Sequence, residues 1–132
     1  MKRGFNANLG QATLANSNFR KVLYTGKYSQ LVLMCLKPGE EIGSETHPDV
    51  DQFFRFEKGR GVVVIDGKRN PVSDGSGVIV PSGAEHNVIN VGKTDLKLYT
   101  IYSPPEHQDK VLRKTKKDAL AKEEHFDGKT TE

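Results

Sequence analysis

The sequence predicts an all-β sandwich or barrel with a short C-terminal helix. Three observations predict it: apolar runs of about four to seven residues, turn signals between them, and no helical pattern in the first hundred residues. Thirteen glycines and six prolines in 132 residues supply the punctuation. A chain of this length suits one domain with one core.

In order, residues 1–19 are polar and rich in Asn, Gly and Ala, and read as an extended arm with room for a short strand. The barrel is expected over residues 20–108. Lys21 to Tyr28 reads as a strand interrupted by Gly26, and Gln30 to Leu36 (QLVLMCL) as a strand buried on both faces. Pro38-Gly39 turns the chain. The run FFRFE after Gln52 is strand-like, with Gln52, Phe54 and Phe56 in one phase. Val62 to Ile65 is β-branched, and Asp66-Gly67 is a strong two-residue hairpin signal. Turns at Asp74–Gly77 and Pro81–Gly83 flank Val78–Val80, and Asn87–Val91 and Leu96–Tyr102 are two further strands. Pro104-Pro105 ends the β region. Within the tail, residues 109–132, the segment DKVLRKTKKDALAKEE has good helix formers and a lysine-rich face, so part of it reads as a surface helix closed by Asp127-Gly128.

Composition excludes several classes. A net charge of +3 and a pI near 9.0 permit a weak attraction to anions. The basic residues of the tail alternate with Asp109, Asp118, Glu123 and Glu124 and lack interleaved aromatics, which argues against nucleic acid. No run approaches the roughly 18 apolar residues of a membrane helix, and MKRGFNANLG lacks a signal-peptide apolar region. A single cysteine, Cys35, cannot form an internal disulfide. A soluble, cytoplasmic protein is expected, with neither nucleic acid nor membrane as partner.

The chemistry concentrates between Gly39 and Gly59. Glu45 and His47 stand two apart, so in an extended strand a carboxylate and an imidazole project side by side. Gln52 follows past the turn at Pro48-Asp49 and brings an amide oxygen. Two oxygens and a nitrogen suit a hard or borderline divalent metal. The downstream candidate for a fourth ligand is His86, just after the Pro-x-Gly turn.

These residues carry a resemblance. Gly39, five residues, Glu45-Thr46-His47, four residues, Gln52, six residues and Gly59 match the spacing of the first cupin motif. Gly75, Pro81, Gly83, His86 and Asn90 match the second. The chain from about residue 20 to 103 therefore resembles the cupin superfamily, and its tail resembles small bacterial cupins often labelled mannose-6-phosphate-isomerase-like. The resemblance implies a double-stranded β-helix, or jelly-roll barrel, holding one divalent transition metal (zinc, manganese, iron or nickel). It implies Glu45, His47, Gln52 and His86 as the ligands. Glu45 stands where the common pattern has His, and Gln52 where it has Glu, so the two departures balance in charge.

Open coordination positions would allow a metal to polarise a carbonyl or hydroxyl oxygen of a small-molecule substrate. With a base to move a proton between adjacent carbons, that is aldose–ketose isomerisation. Glu41, in the phase of Glu45, and His107, beyond the last strand, are the candidate bases. An iron-dependent oxygenase is the alternative, ranked lower because that class usually keeps three histidines, and a non-catalytic metal- or small-molecule-binding module is the third reading. Small cupins often pair through an N-terminal strand, so residues 1–30 predict a homodimer by addition to a partner's sheet.

Overall fold

Alternation along the strands builds the interior. The computed structural model describes residues 1–132. Ten strands and two short helices run in the order α1 (Leu9–Ala15), β1 (Arg20–Thr25), β2 (Gln30–Leu36), β3 (Glu45–Thr46), β4 (Asp51–Lys58), β5 (Gly61–Ile65), β6 (Lys68–Val72), β7 (Gly77–Val80), β8 (Glu85–Asn90), β9 (Leu96–Ser103), β10 (Leu112–Arg113) and α2 (Lys116–Ala121). They form a six-stranded sheet, β10-β1-β2-β9-β4-β7, and a four-stranded sheet, β3-β8-β5-β6. Every strand pair is antiparallel. The architecture is all-β with a small C-terminal helix, a jelly-roll double-stranded β-helix.

One phase of each strand enters the core. Val32, Met34 and Leu36 of β2, Phe54 and Phe56 of β4, Val63 of β5, Val88 of β8 and Leu96 and Leu98 of β9 are sealed into one apolar cluster. At ~25 cal/mol per Å² of apolar surface removed from water, such side chains supply the main driving force for folding. Leu33 and Cys35, in the opposite phase of β2, are also buried. The doubly buried strand read from QLVLMCL is therefore present.

The outer face of the large sheet carries, on β9 and β4, a helix that the polar N-terminal composition did not predict. Leu9–Ala15, placed in the extended arm, is helical; Asn8 caps it, accepting from the Gln11 N–H at 3.0 Å. The helix packs on β9 and β4, and Lys97 Nζ donates to its Leu14 carbonyl at 2.7 Å. Seven residues are too few to hold a helix alone, so the sheet surface stabilises it. β1 is paired on both sides within its own chain, to β10 and β2, so it is not a free strand awaiting a partner. The C-terminal helix is also shorter than the segment read from sequence, with β10 ahead of it and Thr115 as its cap.

The turns follow the sequence signals. Asp66 and Gly67 both have positive φ, 45° and 82°, as the tight β5–β6 hairpin requires. Pro71 lies on β6, at the edge of the small sheet, where its missing N–H is tolerated.

The two glycines bracketing the motif stretch do different work. Gly39 has a φ of 81° with open space around it, whereas Gly59 has a φ of 106° and an added Cβ would meet the Asp95 carbonyl oxygen at 2.8 Å. Gly39→Ala is expected to cost about 1 kcal/mol, the left-handed penalty alone. Gly59→Ala adds a backbone clash and should cost roughly 3 kcal/mol. Urea denaturation of both variants checks the order, and equal losses would mean the close approach at Gly59 is without consequence.

Candidate metal centre and cavity

Pairing of β3 with β8 puts Glu45 directly opposite His86. His47 follows β3, and its carbonyl accepts from the Gly83 N–H at 2.9 Å. The Pro81–Gly83 turn is thereby tied to the strand end that presents His47. One ligand atom each from Glu45, His47 and His86 lies within 4.8 Å of the others. The imidazole rings stand 5.4 Å apart, and His47 Nε2 donates to Glu45 Oε2 at 3.1 Å.

The surroundings bias the protonation of these groups. His86 Nδ1–H donates to the Ala84 carbonyl at 3.2 Å, which leaves the Nε2 lone pair free. Burial lowers the His86 pKa and keeps the ring neutral. Burial pushes Glu45 up, but the His47 hydrogen bond and the charges of His47, Arg20 and His86 outweigh it and hold the carboxyl below its ordinary range. The bond to Glu45 raises His47.

Gln52 points inward from β4, 2% exposed, paired with Val80 of β7 and Tyr102 of β9. Its Nε2 donates to Thr100 Oγ1 at 3.0 Å, while its buried Oε1 has no hydrogen-bond partner. An unsatisfied buried amide oxygen is costly, and ligation of a cation would satisfy it. This orphaned oxygen, with the carboxylate and two imidazoles, fits a divalent transition ion in donor type.

A cavity of about 310 Å³ opens beside Glu45 and His47. Arg20 of β1, Glu106 and His107 line it, and so do Lys116, Glu124 and His125 of the C-terminal segment. His107 is thus at the site, yet neither ring nitrogen is free: Nδ1–H donates to Glu124 Oε1 at 2.9 Å and Nε2 accepts from the Tyr102 hydroxyl at 3.2 Å. Burial lowers the His107 pKa against the opposing pull of Glu124. Burial also raises the Tyr102 phenol, so it keeps its proton. Glu41 stands outside this constellation: it is exposed, accepts from Asn87 Nδ2 at 3.2 Å and does not line the cavity.

Four contributors were not singled out from the sequence as site residues: Arg20, Tyr102, Glu106 and Glu124. Tyr102 was legible as barrel lining, since it shares the inward phase of Leu98 and Thr100 on β9. Glu106 was legible as a neighbour of His107; its carboxylate is 3.7 Å from His47 Nδ1 and 3.4 Å from His125 Nδ1. Glu124 had no local signal, being one acid in a charged tail.

With fold and site described, the family can be stated. The cupin domain family matches residues 32–102, and the chain belongs to that family. It is 47% identical over 126 residues to the Bacillus subtilis protein YrkC, covering 91% of this chain and 68% of that one. It is 45% identical over 105 residues to the mimivirus protein L612, covering 76% and 65%. The chain thus spans about two thirds of the length of these relatives. The crystal structure of BH2720 from Bacillus halodurans superposes with a TM-score of 0.89 at 40% identity, covering 91% of this chain and 96% of that one. No helix is long and apolar enough to cross a membrane.

Glu124 joins the C-terminal segment to the barrel through His107, Arg113 Nη2 at 3.2 Å and Arg20 Nη1 at 3.9 Å. Burial pushes its carboxyl up, but these neighbours outweigh that and hold it below its ordinary 4.5. A depressed carboxyl contributes stability that is complete above pH 4.5 and lost as pH falls through the folded value. Glu124→Gln is expected to lose about 2 kcal/mol near neutral pH. The difference from wild type should shrink at about pH 3.5. Denaturant titrations at both pH values check it, and a pH-independent difference would exclude the ionic contribution.

Proposed function

We propose that the protein is a metal-dependent cupin enzyme acting on a sugar or sugar-phosphate-like small molecule, of the aldose–ketose isomerase type. The observation that carries the reading is the convergence of Glu45, His47 and His86 ligand atoms within 4.8 Å beside an open cavity. The sequence resemblance to mannose-6-phosphate-isomerase-like cupins supports the reaction type.

In this reading Glu45, His47, His86 and the amide oxygen of Gln52 hold one zinc, manganese, iron or nickel ion. The ion supplies Lewis-acid polarisation of a substrate oxygen when bound. The remaining steps fall to the chain's own groups. Glu106 presents a carboxylate at the cavity wall, 3.7 Å from His47 Nδ1, and is better placed than Glu41 to move a proton between adjacent carbons. His107 holds the Tyr102 hydroxyl in place through its Nε2 and is itself held by Glu124. The enzyme works in the cytoplasm as a homodimer. The open edge strand β7, with Ile79 exposed, offers a surface for the second copy.

Protein purified without chelator is expected to carry close to one transition ion per chain by elemental analysis. Glu45→Ala and His86→Ala should lower affinity for that ion at least about tenfold with the β-sheet spectrum intact. Full metal occupancy in both variants would remove these residues from the ligand set. Incubation with hexose phosphates in deuterated water should place deuterium on the carbon next to the carbonyl. Absence of incorporation would remove the isomerase assignment while leaving the metal site standing.

A further inference from the structure

Arg20 is the buried cation at the cavity to which the protein supplies no hydrogen-bond acceptor, only the ion pair with Glu124. The residue is 8% exposed and lines the cavity. Its buried Nε has no hydrogen-bond partner. The carboxylate beside it, Glu124, stands 3.9 Å from Nη1, beyond hydrogen-bond reach. That carboxylate is already engaged, Oε1 by His107 at 2.9 Å and Oε2 by Arg113 at 3.2 Å. On Glu45, Oε2 is engaged by His47 at 3.1 Å, and no hydrogen bond links Glu45 to Arg20. Below the guanidinium lies the apolar ring of Phe19, 5.4 Å from Cζ to its centroid. Burying a guanidinium N–H without an acceptor is costly, and an oxygen-bearing ligand in the cavity would relieve that cost.

The position favours recognition. Arg20 is held by the register of β1, opposite Met34 of β2 and Arg113 of β10, so its backbone is fixed by the sheet. It lines the same cavity as Glu45, His47 and His107. The fork geometry of a guanidinium matches two oxygens of one anionic group. A cavity of about 310 Å³ takes a small polyhydroxylated acid or sugar phosphate, not a polymer.

We propose that Arg20 is a substrate-positioning residue that binds the anionic group, a carboxylate or phosphate, of a small-molecule ligand in the cavity beside Glu45 and His47. That this anion belongs to a substrate rests on the reading of the cavity as an active site. Anion binding by Arg20 itself needs no metal. Hydroxyls of a neutral sugar could accept single hydrogen bonds but not the charge-assisted bidentate pair, so an acid or a phosphate is the ligand class that matches the fork best.

The test uses the full chain, chelator-treated and metal-loaded, with glycolate and inorganic phosphate as probes. Binding is followed by the chemical shifts of backbone amides around Arg20, Phe19 and Glu124. Wild type is expected to bind at least one probe in both metal states, and the preferred probe separates carboxylate from phosphate. Arg20→Gln should weaken binding roughly 10- to 100-fold. Arg20→Lys, which keeps the charge and loses the fork, should fall between. Amide spectra of the variants establish that they are folded, and metal content of Arg20→Gln should equal wild type. Undiminished binding by folded Arg20→Gln, binding only through the metal, or no binding of either probe by wild type would each overturn the proposal. Protein that carries no transition ion when purified without chelator, yet binds anions through Arg20, would sink the metal-dependent reading and leave this one in place.

Discussion

A β-strand turns only alternate side chains inward, and this restriction governs both the core and the site. On β4 the inward set is Gln52, Phe54 and Phe56. On β9 it is Leu96, Leu98, Thr100 and Tyr102. The two strands pair in a register that sets Gln52 against Tyr102 and Phe54 against Thr100. At one end of the barrel the inward positions are apolar and close-packed. At the other they become Gln52, Thr100, Tyr102 and His86, and the interior changes from core to binding site without any change of backbone. The aromatic contact of Phe54 with His86, 6.2 Å between centroids, marks the seam.

The second constraint is the accounting of buried charge. The C-terminal segment lies against the barrel mouth through Glu124, which meets His107, Arg113 and Arg20. Two further links hold it: the Phe126 N–H donates to the Glu106 carbonyl at 2.8 Å, and Arg113 Nη2 donates to the Lys122 carbonyl at 2.9 Å. A tail whose composition reads as a solvated face therefore forms one wall of the cavity. Gln30 completes the arrangement from below, its side-chain amide bonding the His107 backbone at both N–H and carbonyl. The result is a wall around a polar space, with the Arg20 Nε–H the donor that the wall leaves without an acceptor.

The motif residues divide into two roles that spacing alone does not separate. Asn90, the end of the second motif, donates to the Leu36 and Thr94 carbonyls and accepts from the Gly92 N–H, so it pins a turn. Gly59 admits the backbone of Asp95 and Leu96. Glu45, His47 and His86 instead meet in space, as their spacing implied. Gln52 is buried with a free oxygen, also in keeping with its place in the motif. His107 was legible as a histidine beyond the last strand, but its role was not: its partners Tyr102 and Glu124 come from β9 and the tail.

By itself the sequence determined the positions of most strands along the chain, the Asp66-Gly67 hairpin, the inward phase of β4 and the three residues that converge beside the cavity. These depend on local chemistry: the two-residue period of a strand, positive φ at a tight turn, and the donor atoms that side chains carry. Only the tertiary structure decided that Leu9–Ala15 is a helix, that the charged tail walls the cavity, that Glu41 does not line it and that the buried Arg20 Nε has no acceptor. Those outcomes depend on which surfaces are left to cover once the sheets have paired. A seven-residue helix has no stability until a sheet face receives it. The cost of a buried guanidinium is likewise defined only when the atoms around it are known.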